Sequence, residues 1–295
     1  MSHANLDNSS GAYRPELIQK PVDVQRFPAG EPRVTLSPYF VRDVIQSGVL
    51  DTRDIGYGYI DPFVLCQVAD ILNQVVDVSG ITLFMPYMPC SRQDRRVFPG
   101  TSFALREYAK VINSIGFRKV VTVDAHSDVC EALYPSFENI RNITLVSNFC
   151  TFHLAVNEET LFLAPDAGAA KKLPGTLREV DTGLNIALAT ADKERDLATG
   201  EILRTVVPEA PVCTANRIVV VDDICDGGRT FVELAKEVQR VRTANAYGPI
   251  PMHLVVSHAI MSKGAQALDG YETLHAYDTF QRLPGVNYVE TPSAV

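Results

Sequence analysis

Short, almost unbroken runs of aliphatic and β-branched residues alternate along this chain with longer amphipathic stretches, and that alternation constrains the fold more than any other feature. The runs occupy residues 81–85, 119–123, 161–164, 185–190, 218–221, 253–257 and 273–277. A strand with one solvated face alternates apolar and polar residues. A run without alternation reads as a strand covered on both faces, as in a parallel sheet with helices packed above and below. The intervening stretches supply such helices. Across 103–115, Tyr108, Val111, Ile112 and Ile115 fall at helical spacing, and Gly116 follows as a terminator. Across 230–242, Phe231, Leu234, Ala235, Val238 and Val241 repeat the pattern. The expected class is α/β, with mainly parallel sheets flanked by helices. A length of 295 residues, at about 150 per domain, allows two such units. The boundary between them is placed near 147–151, dividing the chain into residues 1–148 and 149–295.

Polar residues follow the first five runs directly: MPYMPCSRQDRR, DAHSD, PDAG, ADKERD and DDICDGGRT, in chain order. In open α/β sheets the carboxyl ends of the strands form the ligand-binding edge, so these clusters outline the expected site.

The last cluster carries the sharpest signal. In IVVVDDICDGGRTF a buried strand delivers Asp222 and Asp223, then a turn with Gly227 and Gly228, then Thr230 opening a helix. Glycines let the backbone approach a phosphate closely, helix-start N–H groups point at it, and a threonine hydroxyl adds a donor. Two carboxylates fixed at the strand end can accept hydrogen bonds from the two ring hydroxyls of a ribose, directly or through a metal.

Charge and cysteine content narrow the remaining options. With 27 Lys and Arg against 35 Asp and Glu, the net charge is -8, which gives no general attraction for nucleic acid or an anionic membrane. A polyphosphate ligand must therefore be held by local cations. The six cysteines form no CxxC pair, so a zinc ribbon or redox dithiol is not expected, and they read as buried small hydrophobes of a reducing compartment. No apolar run of membrane-spanning length and no secretory leader pattern occurs, and the expected location is the cytoplasm.

The segment 218–231 resembles the phosphoribosyl diphosphate motif shared by type I phosphoribosyltransferases and ribose-phosphate diphosphokinases. Further ordered matches favour the diphosphokinases. SRQDRR (91–96) resembles their ATP-binding stretch, VTVDAHSD (121–128) their metal-binding strand end, APDAG (164–168) a central loop, and DKER (192–195) a catalytic loop. FPAGE (27–31) is similar to the loop that clamps the adenine of a neighbouring subunit. The resemblance implies two phosphoribosyltransferase-like α/β domains with the active site between them. It also implies a homo-oligomer, either a dimer or a hexamer built of dimers.

Position by position, the resemblance implies ATP contacts from Arg92, Gln93, Asp94, Phe27 and Glu31, and a Mg2+ site at Asp124 and His126. Asp166, Asp222, Asp223, Asp226, Gly227, Gly228, Arg229 and Thr230 correspond to ribose and phosphate binding, and Lys193 and Arg195 to the catalytic pair. The chemistry agrees with these roles. Arginines suit bidentate contact with phosphate oxygens, and cations brought up to a transferring phosphoryl group stabilise the charge spread over its oxygens. Asp166 also reads as the N-cap of a helix beginning near Ala167. His153, His253, His258 and His275 read as structural.

The chain departs from the family at a few places. Its phosphate loop has Gly227 where threonine is usual and adds the guanidinium of Arg229; Ala29 replaces the acidic or amide residue of the adenine clamp; the stretch between Glu31 and Ile81 is short; no final helix is expected after Val289. A loop with more room and an extra cation favours an acceptor larger than ribose 5-phosphate, with ADP-ribose set slightly ahead. The expected reaction is transfer of the β,γ-diphosphate of ATP to the anomeric hydroxyl of a 5-phosphorylated ribose, with release of AMP. A phosphoribosyltransferase explains 218–231 but leaves SRQDRR and DKER without a role. A non-catalytic regulator leaves Lys193, Arg195, His126 and Asp223 without one.

Overall fold

A computed structural model describes residues 20–180, 183–195 and 202–294. The described chain opens with an antiparallel hairpin, β1 (Val22–Arg26) and β2 (Pro32–Leu36). It continues through α1 (Pro38–Ser47), β3 (Val49–Asp51), α2 (Pro62–Leu72), β4 (Thr82–Phe84), α3 (Ala104–Ile115), β5 (Lys119–Val123), α4 (Val129–Leu133) and β6 (Phe137–Ile140). Strands β3, β4, β5 and β6 pair in that order into a four-stranded, wholly parallel sheet.

Next come α5 (Ile143–His153), β7 (Thr160–Ala164), α6 (Ala167–Glu179) and β8 (Ile186–Thr190), followed by an antiparallel ribbon of β9 (Asp192–Arg195) and β10 (Ile202–Val206). The chain then forms α7 (Glu209–Thr214), β11 (Arg217–Cys225), α8 (Arg229–Ala244), β12 (Met252–Ala259), β13 (Thr273–Tyr277) and β14 (Asn287–Val289). Six of these strands make a second parallel sheet in the order β14-β13-β12-β11-β7-β8. The class is α/β, as the sequence predicts.

Alternate residues of the strands enter different cores, which explains why the runs are apolar throughout. In the first sheet Leu83 and Val120 join an outer core with α2 and α3, whereas Phe84, Val121 and Val123 join a central one. In the second, Leu161, Leu163, Ile218, Val220 and Leu254 pack outward with α8, and Phe162, Ala164, Val219, Val221 and Val255 pack into the same central core. Leu145, Val146, Phe149 and Cys150 of α5 and Leu173 of α6 complete that shared layer. Helix α5 runs straight through 147–151, where the sequence reading puts its domain boundary.

Local signals set the ends of the helices. Ser37 and Asp61 cap α1 and α2 by accepting from the N–H groups of Phe40 and Phe63, each helix opening on proline. Gly116 ends α3 in the left-handed conformation, φ 86°. Strand β11 runs four residues beyond the apolar stretch, because its pairing with β12 continues to Cys225 opposite Ala259, so Asp222 and Asp223 lie within the strand. The six cysteines are unpaired, four buried and Cys66 and Cys90 half-buried. Among the described residues no helix is long and apolar enough to cross a membrane.

Candidate active site

The ends of β4, β5, β7 and β11 meet at one cavity of about 450 Å³. Arg92 and His126 reach it from the four-stranded sheet, and Asp166, Lys172, Asp222, Asp223 and the segment 226–231 from the six-stranded sheet. The turn after β11 ends at Gly228, whose φ of 74° is left-handed and where a Cβ would stand 2.8 Å from Leu268 Cδ2. Both the dihedral and the close approach require glycine there. Helix α8 starts on the next residue with no side-chain cap, so its leading N–H groups remain for an anion.

Behind the loop lies a charged network that crosses between the sheets. Lys172 Nζ donates to Asp223 Oδ2 at 2.8 Å and to the Ala125 carbonyl at 2.9 Å, and lies 3.6 Å from Asp124 Oδ1. His126 Nδ1 lies 3.1 Å from Asp223 Oδ1. Ser257 Oγ donates to Asp124 Oδ2 at 2.5 Å. Burial alone would raise the pKa of Asp223, but the His126 hydrogen bond and the charge of Lys172 outweigh it and hold the carboxyl below its ordinary range. Asp222 goes the other way, raised by burial and by the charge of Asp223. Asp124 is raised by burial despite Lys172. His126 is raised, first by its hydrogen bond with Asp223.

Arg92 Nη1 lies 3.1 Å from Asp226 Oδ2 and so bridges the two sheets at the rim. Asp166 caps α6, with Oδ1 accepting from the N–H groups of Gly168 and Ala169, while also lining the cavity. Arg229 lines the cavity too, highly exposed, with Nε donating to Glu233 Oε1. Gly227 and Thr230 complete the loop.

Other predicted residues are not among the described side chains that line this cavity. Asp94 accepts from Ser127 Oγ at 2.7 Å, and Gln93 is exposed beside it. Phe27 and Glu31 lie at the tip of the β1–β2 hairpin, where Phe27 is 54% exposed. Lys193 and Arg195 lie on β9 opposite Thr205 and Ile202, and their side chains fall outside the described residues. Asp124 and His126 leave β5 two residues apart, yet each takes a different partner.

Two cations were not anticipated. Lys172 falls three residues after Ala169 and next to Leu173, both buried on α6, so a lysine on an apolar helical stripe is a legible signal in hindsight. Lys263 follows β12 in a turn, and its Cε would lie 3.8 Å from a Cβ at Gly227; no local pattern marks it.

No family model matches the chain. Its sequence is 26% identical over 249 residues to the ribose-phosphate pyrophosphokinase of Saccharolobus solfataricus, a match covering 83% of this chain and 78% of that protein. It is 26% identical over 201 residues to the ribose-phosphate pyrophosphokinase of Cereibacter sphaeroides, covering 67% of this chain and 55% of that one. The chain is thus similar in sequence to ribose-phosphate pyrophosphokinases. Its fold agrees: the phosphoribosylpyrophosphate synthetase of Mycobacterium smegmatis superposes with a TM-score of 0.69 at 17% identity, over 92% of this chain and 86% of that one. Against several of these relatives the matched stretch spans little more than half their length, 56% for the protein of Granulibacter bethesdensis.

Proposed function

We propose that the protein is a diphosphokinase that transfers the β,γ-diphosphoryl group of ATP to the anomeric hydroxyl of a 5-phosphorylated ribose. The anomeric oxygen attacks the β-phosphorus, the bond from that phosphorus to the bridging oxygen of AMP breaks, and the hydroxyl proton is released. One observation carries this reading: a single cavity receives Arg92 and His126 from one sheet and the Asp222–Asp223 pair with its phosphate turn from the other. Asp222 and Asp223 orient the ribose, the turn from Asp226 to Thr230 holds its 5-phosphate, and Arg92 meets ATP, which brings its own Mg2+. Lys193 and Arg195, by resemblance, stabilise the transferring group. Such a site works by positioning and charge neutralisation.

ADP-ribose is the favoured acceptor and ribose 5-phosphate the alternative. At Gly227 a Cβ would meet only Lys263 Cε at 3.8 Å and Ser262 Oγ at 4.0 Å, which supports room for a second phosphate beside a cation. Arg229 stands at the same mouth. The names of the relatives favour ribose 5-phosphate. The hairpin carrying Phe27 and Glu31, set apart from its own cavity, suits service to a neighbouring copy, so the reading includes at least a dimer, to be measured by light scattering.

The deciding experiment resolves products by mass after incubation with MgATP and either sugar. AMP with ADP-ribose 1-diphosphate supports the favoured acceptor, and AMP with ribose 5-phosphate 1-diphosphate supports the alternative. Production of AMP from neither sugar rejects the reading.

A further inference from the structure

The residues that resemblance assigns to a metal do not form a cage for one. Among the described residues no group of three or more His, Cys, Asp and Glu is placed to hold a metal ion. Asp124 is buried, with Oδ2 taken by Ser257. His126 turns Nδ1 to Asp223. The space between Asp124 and Asp223 already holds a cation, the Lys172 ammonium, 3.6 Å from one carboxylate and 2.8 Å from the other.

We propose that Lys172 is the resident cation of the ribosyl site and positions Asp223 for the sugar, so that the ribosyl substrate binds without a divalent ion. This inference rests on the proposed reaction and goes beyond it by assigning the metal demand to the nucleotide alone.

The geometry carries the argument. Lys172 projects from α6, which belongs to the six-stranded half, and its third contact is the Ala125 carbonyl at the end of β5 in the other half. One ammonium therefore satisfies a carbonyl, a carboxylate that lines the cavity and a second carboxylate behind it. Its side chain remains 33% exposed on the cavity side. A divalent ion placed between the same two carboxylates would occupy the volume of the ammonium and be repelled by it. An ammonium with three donors on a stem anchored in a helix can hold Asp223 in one orientation before the sugar arrives.

The test is calorimetric binding of ribose 5-phosphate and of ADP-ribose to the whole protein, in excess EDTA and again in excess Mg2+, for wild type, Lys172→Met and Lys172→Arg. The wild type is expected to bind its preferred sugar with the same affinity, to within about twofold, in both buffers. Lys172→Met is expected to bind about tenfold or more weakly in EDTA, the loss of a charge-assisted contact, with the KM for MgATP little changed. Lys172→Arg should recover part of the affinity. Thermal melting shows whether Lys172→Met is folded; if it is not, the comparison of EDTA with Mg2+ on wild type and Lys172→Arg still decides. Wild-type affinity falling tenfold in EDTA, or folded Lys172→Met binding like wild type, overturns the inference while leaving the reaction intact. Binding of neither sugar by wild type in either buffer overturns the reaction and the inference with it.

Discussion

Arg92 and Asp226 face each other across the rim of the cavity, with side chains 52% and 40% exposed. An ion pair so open to water contributes about 0 to 1 kcal/mol, so its importance lies in what Arg92 offers a phosphate. Arg92→Ala should leave the melting temperature within a few degrees of wild type and lower AMP release by about a hundredfold or more, on the scale of losing one donor to a developing charge. A steady-state AMP assay beside a thermal melt checks both parts. At this scale the sequence was informative where residue type limits chemistry, as at Asp222, Asp223, Gly228 and Arg92. It was silent where a contact joins distant segments, because nothing near Lys172 in the chain announces Asp223, 51 residues away. The separation of Asp124 from His126 has the same origin: each meets a group from the other sheet, Ser257 and Asp223.

Two helices border the cavity, α8 at the proposed phosphate turn and α6 beside it, and each depends on one residue at its start. Gly228→Ala combines a left-handed residue with a Cβ 2.8 Å from Leu268 Cδ2, and the backbone part alone costs about 1–2 kcal/mol. The variant should unfold at lower urea and bind inorganic phosphate more weakly. Adding Leu268→Ala relieves the contact and leaves the dihedral penalty, so the double variant should stay less stable than Leu268→Ala alone. At α6, Asp166→Ala should cost about 1 kcal/mol through loss of the cap, whereas Asp166→Asn keeps it. Weaker sugar binding by Asp166→Asn at unchanged stability, measured by calorimetry and urea titration, is the expected outcome if its charge also serves the ligand. Element by element, the unbroken apolar runs were legible because both faces are buried. Strand β3 spans three residues and β6 four, too few to show a period, and α5, ITLVSNFCTFH, is apolar over so much of its surface that its helical period is muted.

Across the whole molecule, acid should act through buried imidazoles. Burial pushes His253, His258 and His275 down to about 4, with Arg217 adding to the shift at His253 and His153 to that at His275. In the unfolded chain each takes up a proton below about 6.5. Their contribution is thus complete above that pH and is lost as pH falls towards 4, by roughly 1.4 kcal/mol per unit for each group. His126 opposes them: its raised pKa adds stability at low pH that disappears as pH rises through the folded value. Asp222 and Asp124, raised by burial, act in the same direction as His126, so the imidazoles are best read one at a time by NMR titration: the His253, His258 and His275 rings are expected to stay neutral in the folded protein at pH 5, and protonated rings there would contradict the burial argument. The architecture was readable to the level of parallel α/β layers, because strand patterning records burial. Which strands face one another across a shared layer was not readable, since an apolar residue carries no address.

That shared layer also bears on how such a chain can be recombined. Phe84, Val121, Phe162, Val219, Val255 and Tyr277 come from both sheets and fill one close-packed space. Replacing either half with the corresponding half of a relative brings mismatched side-chain volumes together in the middle of the molecule. The unit of exchange is therefore the matched set of contacts between the halves, and a chimaera that keeps those six positions together should tolerate a foreign outer shell better than one cut cleanly at the midpoint of the sequence.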